Sequence, residues 1–130
     1  MGIGSQNVHH RSAMPIVLVV EDDQLLRSMA VELVEDAGFE ALEAANADQA
    51  IAVLEARSDV ALQFTDIHMP GSINGLKLAH AVRNRWPPIK NIIVSGQVQL
   101  SEKDMPTNSR FLRKPYFAET LISELVSMAE

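Results

Sequence analysis

Apolar residues fall in five short runs, and four of them stop abruptly at polar residues. Pro15-Ile16-Val17-Leu18-Val19-Val20 is continuously apolar and β-branched, as expected of a strand covered on both faces in a parallel sheet, and it ends at Glu21-Asp22-Asp23. Phe39 to Ala44 is a short alternating strand. Val60-Ala61-Leu62-Gln63-Phe64-Thr65 runs into Asp66, after which Pro70 and glycines mark a loop. Asn91-Ile92-Ile93-Val94-Ser95 is a fourth strand, ending at Gly96, and Arg110-Phe111-Leu112-Arg113-Lys114 is a fifth, followed by Pro115.

Helical spacing fills the gaps. Leu25, Leu26, Met29, Ala30, Leu33, Val34 and Ala37 form one apolar stripe, with Asp23 as cap and Gly38 suited to a left-handed C-terminal position. Asn46-Ala47-Asp48-Gln49 reads as a capping box before Ala50, Ile51, Val53 and Leu54. A third helix spans about Leu76 to Trp86 and is stopped by Pro87-Pro88. Gln97 to Asn108 has the weakest pattern, with one helical turn expected near Ser101-Glu102-Lys103-Asp104. A last helix runs from Phe117 to Ala129 on Leu121, Ile122, Leu125 and Val126. Strands alternating with helices predict an α/β fold, a parallel sheet with helices on both faces and right-handed crossovers. Residues 1–14 are polar and aperiodic and read as a disordered tail, leaving residues 15–130 as one domain.

Composition narrows the function classes. The 130 residues are 47% hydrophobic and only 5% aromatic, so one aliphatic core is expected. The absence of cysteine excludes disulfides and thiolate metal sites and suits a reducing compartment. A net charge of −6 argues against direct nucleic-acid binding, which needs clustered Lys and Arg. No apolar run approaches the roughly 20 residues of a membrane span, and no signal-peptide core is present, so a cytoplasmic location is expected.

The polar residues at the strand ends carry the chemistry. Glu21-Asp22-Asp23, Asp66, Ser95 and Lys114 all fall at carboxyl ends, the edge where open α/β sheets bind ligands. Asp66 alone reads equally well as a loop cap bonded to nearby backbone N–H groups. Four such groups at the ends of four buried strands are harder to explain as caps. Crowded carboxylates repel, and a hard cation such as Mg²⁺ resolves the repulsion while leaving room for a phosphate. A lysine and a hydroxyl beside that cation would contact phosphoryl oxygens. The site reads as a place to hold a phosphoryl group near Asp66.

With these residues in view, the chain resembles the receiver domain of bacterial two-component response regulators. The resemblance rests on Val19-Val20-Glu21-Asp22-Asp23, Thr65-Asp66-Ile67-His68-Met69-Pro70 with Gly75-Leu76, Ile93-Val94-Ser95-Gly96, and Phe111-Leu112-Arg113-Lys114-Pro115. It implies a flavodoxin-like (βα)5 sandwich with strand order 2-1-3-4-5. It implies that Asp66 accepts phosphate from the histidine of a sensor kinase or histidine phosphotransfer protein. Mg²⁺ is then held by Asp22, Asp66 and the backbone carbonyl of His68, with Glu21 acting through water. Ser95 bonds the transferred phosphoryl group, Lys114 pairs with it, and Phe111 is the aromatic switch that turns inward. It also implies a cis Lys114–Pro115 bond, an unidentified downstream protein partner, and a candidate homodimer face made by strand 4, helix 4, strand 5 and helix 5. The chain is expected to be a stand-alone receiver or one part of a larger regulator, catalysing only its own phosphorylation and dephosphorylation.

Departures and competitors follow from the same residues. Pro70-Gly71-Ser72-Ile73-Asn74-Gly75 is one residue longer than the commonest family spacing, so a more mobile loop is expected. Phe111 lacks a tyrosine hydroxyl, and the weak Gln97 to Asn108 segment places the partner surface in doubt; that segment is expected to be mobile until phosphorylation. An aspartyl-phosphate phosphatase or phosphotransferase acting on an outside substrate is one alternative. It usually carries a second acid two residues after the nucleophile, where this chain has His68. A phosphorylation-independent interaction domain is another, and the full set of Glu21, Asp22, Asp66, Ser95 and Lys114 argues against it.

Overall fold

A computed structural model describes residues 14–68, 74–96 and 100–129. Five strands form one sheet in the order β2-β1-β3-β4-β5, with every neighbouring pair parallel. The strands are β1 (Ile16–Val20), β2 (Glu40–Ala44), β3 (Val60–Asp66), β4 (Lys90–Ser95) and β5 (Ser109–Arg113). The helices are α1 (Gln24–Asp36), α2 (Ala47–Ala56), α3 (Gly75–Arg85) and α4 (Ala118–Ala129). Among the described residues between β4 and β5 the chain makes a single 3₁₀ turn, Glu102–Asp104. This is the flavodoxin-like order expected from the sequence, with one turn standing in the fourth helical position.

The sheet is buried on both faces, as the continuous apolar strands require. Val17, Val19, Phe64, Ile92 and Val94 pack with Leu121 and Leu125 of α4 and Val34 of α1. Leu18 and Val20 pack on the opposite face with Ala50 and Leu54 of α2 and Leu78 and Val82 of α3. Local signals behave as read. Asp23 Oδ1 accepts from the Leu26 N–H at 2.9 Å, Asn46 caps α2 through the Gln49 N–H, and Gly38 adopts φ +94°. Asn74 caps α3 by accepting from the Lys77 N–H. Lys114–Pro115 is cis.

Two expectations need correction. The stripe of α1 is not all core: Leu25, Leu26 and Met29 are 69%, 43% and 53% exposed, and only Ala30 and Val34 are buried. These three side chains belong to the first turns of α1, at the edge where β1 has already ended, so helical periodicity continues beyond the sheet that would cover it. Among the described residues the candidate dimer face carries a capped turn where its fourth helix was named, because Ser101–Asp104 closes into a single turn and Pro106 follows. Residues 1–13, 69–73 and 97–99 lie outside the described residues, and with them the expected disordered tail, the expected mobile loop after His68 and the start of the weak segment.

Candidate functional site

The carboxyl edge of the sheet brings together Asp66 from β3, Glu21 from the turn after β1, and Lys114 from the end of β5. Asp66 is the last residue of β3 and is buried. Its two oxygens are both engaged: Oδ1 accepts from the His68 N–H at 3.0 Å, and Oδ2 accepts from Lys114 Nζ at 2.5 Å. Asp66 is therefore the loop cap of the simpler reading and also one half of an ion pair. Lys114 Nζ also lies 3.5 Å from Glu21 Oε1. The Lys114 N–H donates to the Ser95 carbonyl at 2.9 Å, which fixes the lysine's backbone against the end of β4.

The electrostatics follow from burial. Glu21 is buried, and its carboxyl is pushed up to about 7, first by loss of solvent and then by the neighbouring Asp66; the Asp23 N–H and the Lys114 charge pull the other way. For Lys114 burial opposes the charge, yet the hydrogen bond and charge of Asp66, with the charge of Glu21, outweigh it and hold the ammonium above the ordinary lysine range. Two buried carboxylates side by side, Glu21 and Asp66, are a donor set suited to a hard cation. Asp22, next in the chain, is exposed. Among the described residues no three acidic or imidazole side chains converge as a ready-made cage.

The other residues singled out by the sequence lie close by. Ser95 ends β4 and is fully buried. His68 is exposed, with its backbone N–H turned to Asp66. Phe111 is half-buried and packs with Leu76, Leu100 and Met105 against Ile67, Ala79 and Ile93.

Sequence reading missed three features. Gly75 is present because of space, not conformational freedom: a Cβ there would lie 1.9 Å from the Asp66 carbonyl oxygen and 2.9 Å from Ile67 Cα. The Gly75 N–H donates to the Ile67 carbonyl at 3.0 Å, so α3 begins in direct contact with the backbone that carries the carboxylate. Tyr116 stands edge-on to Phe64, with ring centroids 6.1 Å apart. Glu21, Asp66 and Lys114 form the polar end of a cavity of about 640 Å³, whose apolar walls include Leu26, Met29, Phe64 and Tyr116. No local sequence pattern announces a contact made across the fold.

A parallel sheet in this order, with a buried carboxylate, an acidic neighbour and a lysine at its carboxyl edge, defines a doubly wound α/β domain whose polar groups gather where such folds bind ligands. Residues 17–126 match the family model described as the response regulator receiver domain, and the chain belongs to that family. It is 28% identical over 118 residues to the response regulator receiver protein CpdR of Brucella abortus, covering 88% of this chain and 97% of CpdR. It is 29% identical to the sensor kinase CckA of Brucella abortus over 92% of this chain, a match that spans 13% of CckA. Response regulator protein TrrA from Thermotoga maritima, solved in complex with Mg(2+)-BeF, has the same fold, with a TM-score of 0.76, 24% identity, and coverage of 88% of this chain and 99% of that one. The protein is thus a receiver domain of two-component systems, a family that generally accepts phosphoryl groups and binds Mg²⁺. Among the described residues no helix is long and apolar enough to cross a membrane.

Proposed function

We propose that Asp66 accepts a phosphoryl group from the phosphohistidine of a sensor kinase or histidine phosphotransfer protein, in the cytoplasm. The observation that carries this is the buried Asp66 carboxylate 2.5 Å from Lys114 Nζ at the carboxyl edge of the sheet. One Asp66 oxygen attacks phosphorus in line, the phosphorus–nitrogen bond of the donor breaks, and the imidazole leaves. Lys114 shifts from the carboxylate to the incoming phosphoryl oxygens, and the His68 N–H steadies the oxygen that does not attack. Ser95 donates its hydroxyl to the phosphoryl group, and Phe111 turns toward the space this opens. Hydrolysis of the acyl phosphate resets the domain.

Asp22, Asp66 and the His68 carbonyl would hold Mg²⁺, with Glu21 acting through water. That cation supplies charge neutralisation on the phosphoryl oxygens. Leu25, Leu26 and Met29 on α1, with Phe117 at 76% exposure just before α4, present exposed apolar side chains. Kinship with CpdR and with part of CckA supports seating a kinase helix there. Intact mass after incubation with a small phosphodonor and Mg²⁺ tests the reading. One phosphoryl group is expected on the wild type and none on Asp66→Asn; undiminished labelling of Asp66→Asn contradicts it.

A further inference from the structure

The end of β1 raises a question that its neighbours answer. The β1–β2 ladder continues one residue past β1, since the Glu21 N–H donates to the Ala44 carbonyl at 3.1 Å. There β2 stops. The chain turns there into the α2 cap, where the Ala45 N–H is given to Gln49 Oε1 at 2.8 Å and Asn46 Oδ1 accepts from the Gln49 N–H at 2.9 Å. The Glu21 carbonyl is met instead from α1, where Arg27 Nη1 donates to it at 2.8 Å. The same guanidinium sends Nε to Glu43 Oε1 at 3.1 Å, on β2. Its side chain is only 17% exposed, so this is a seated group and not a loose surface arginine.

We propose that Arg27 is a positioning residue for the acidic turn Glu21-Asp22-Asp23, and that it sets that turn's affinity for Mg²⁺. The inference rests on the proposed phosphoacceptor function. The guanidinium replaces the missing strand donor and fixes the Glu21–Asp22 peptide plane. That plane determines where the Glu21 and Asp22 side chains leave the backbone. The turn is closed from its other side by the Asp23 N–H, which donates to Glu21 Oε2 at 3.0 Å, and by the Arg27 N–H, which donates to the Asp23 carbonyl at 2.9 Å. The Arg27 side chain thus holds the Glu21 end of the turn, while its backbone N–H, like that of any residue there, starts the helix at the Asp23 end. A planar guanidinium suits the task, because its fixed fork places Nη1 on the Glu21 carbonyl and Nε on Glu43 at once, two directions that one ammonium nitrogen on a flexible stem does not hold in fixed geometry. Groups that orient metal ligands without touching the metal commonly alter affinity by about 10–100-fold when removed.

The test is an Mg²⁺ titration followed by backbone amide shifts of residues 21–23 in two-dimensional NMR, on the wild type, Arg27→Ala, Arg27→Lys and Glu43→Gln. Arg27→Ala is expected to bind Mg²⁺ about tenfold more weakly. Arg27→Lys should fall between it and the wild type. Glu43→Gln should weaken binding least, because it frees only one arm. Phosphorylation rates should need more Mg²⁺ to reach half-maximum and then approach the wild-type maximum, a split that simple loss of stability would not produce. If Arg27→Ala does not fold, the other two variants decide. Folded variants that bind Mg²⁺ as the wild type does overturn the inference and leave the proposed function standing. A wild type that shows no Mg²⁺-dependent shift overturns both.

Discussion

The crossovers from β3 to β4 and from β4 to β5 have the same task, carrying the chain between adjacent parallel strands, and they are anchored very differently. The first is α3, an 11-residue helix that buries Gly75, Leu78, Ala79 and Val82. The second, over its described residues, is a single 3₁₀ turn whose own three residues are all unburied, with only Leu100, Met105 and Pro106 beside it reaching the core. Polar threads supplement that thin packing: His80 Nε2 donates to the Asp104 carbonyl at 2.9 Å, Arg83 Nε donates to Thr107 Oγ1 at 2.5 Å, and the Ser109 hydroxyl donates to the Pro106 carbonyl. The difference separates two duties. The well-packed crossover supports Asp66, and the lightly held one follows Ser95. A phosphoryl group can shift only an equilibrium whose second state is already close in energy, and that state is nearer where packing is thin.

The largest effect is expected where the firm crossover meets the acceptor. Gly75→Ala would drive a methyl group into the Asp66 backbone, which cannot yield as a flexible side chain would. A loss of about 3 kcal/mol in unfolding free energy is expected, with loss of phosphoryl labelling. Gly96→Ala is the control: its Cβ would meet Lys114 Cβ at an ordinary 3.5 Å, and stability should stay within about 0.5 kcal/mol. Chemical denaturation of both variants measures the contrast.

Next comes pH. Folded Glu21 keeps its proton up to about 7, and the unfolded carboxyl releases it near 4.5. Between those values the folded state binds more protons, so stability falls as pH rises. The contribution of Glu21 is fully present below about pH 4.5 and gone above about 7. In chelator, thermal unfolding of the wild type should lose midpoint temperature across that window relative to Glu21→Gln, and parallel curves would contradict this.

On the lightly held side, a beryllofluoride adduct on Asp66 should slow amide exchange across residues 100–108 roughly tenfold, a coupling of about 1.4 kcal/mol, and leave α3 unchanged. Equal protection in both states would remove the distinction between the two crossovers. The smallest effect belongs to the threads. His80→Ala and Arg83→Ala should each cost about 0.5–1 kcal/mol and speed exchange in residues 100–108 selectively.

Periodicity and caps made most of the architecture readable. The apolar runs located all five strands, and Asp23, Asn46 and Gly38 marked the helix ends that the fold displays. The turn at Ser101–Asp104 was legible because that stretch lacks a 3.6-residue pattern. Asp66, Glu21 and Lys114 were legible as polar stops to apolar strands, and the fold gathers them at one edge. Features that depend on distant contact were not. Gly75 is required by the Asp66 backbone, and Arg27 by a carbonyl left without a strand partner. The exposed Leu25, Leu26 and Met29 share the periodicity of buried residues, and only the end of β1 tells them apart.

The central claim is that the phosphoryl group resides on Asp66 as an acyl phosphate. Borohydride reduction after phosphorylation converts an aspartyl phosphate to homoserine, and peptide mass spectrometry then locates it. The account predicts homoserine at position 66 in the wild type, dependent on both phosphodonor and Mg²⁺. Homoserine at another aspartate, or a phosphorylated protein that yields none, would contradict it.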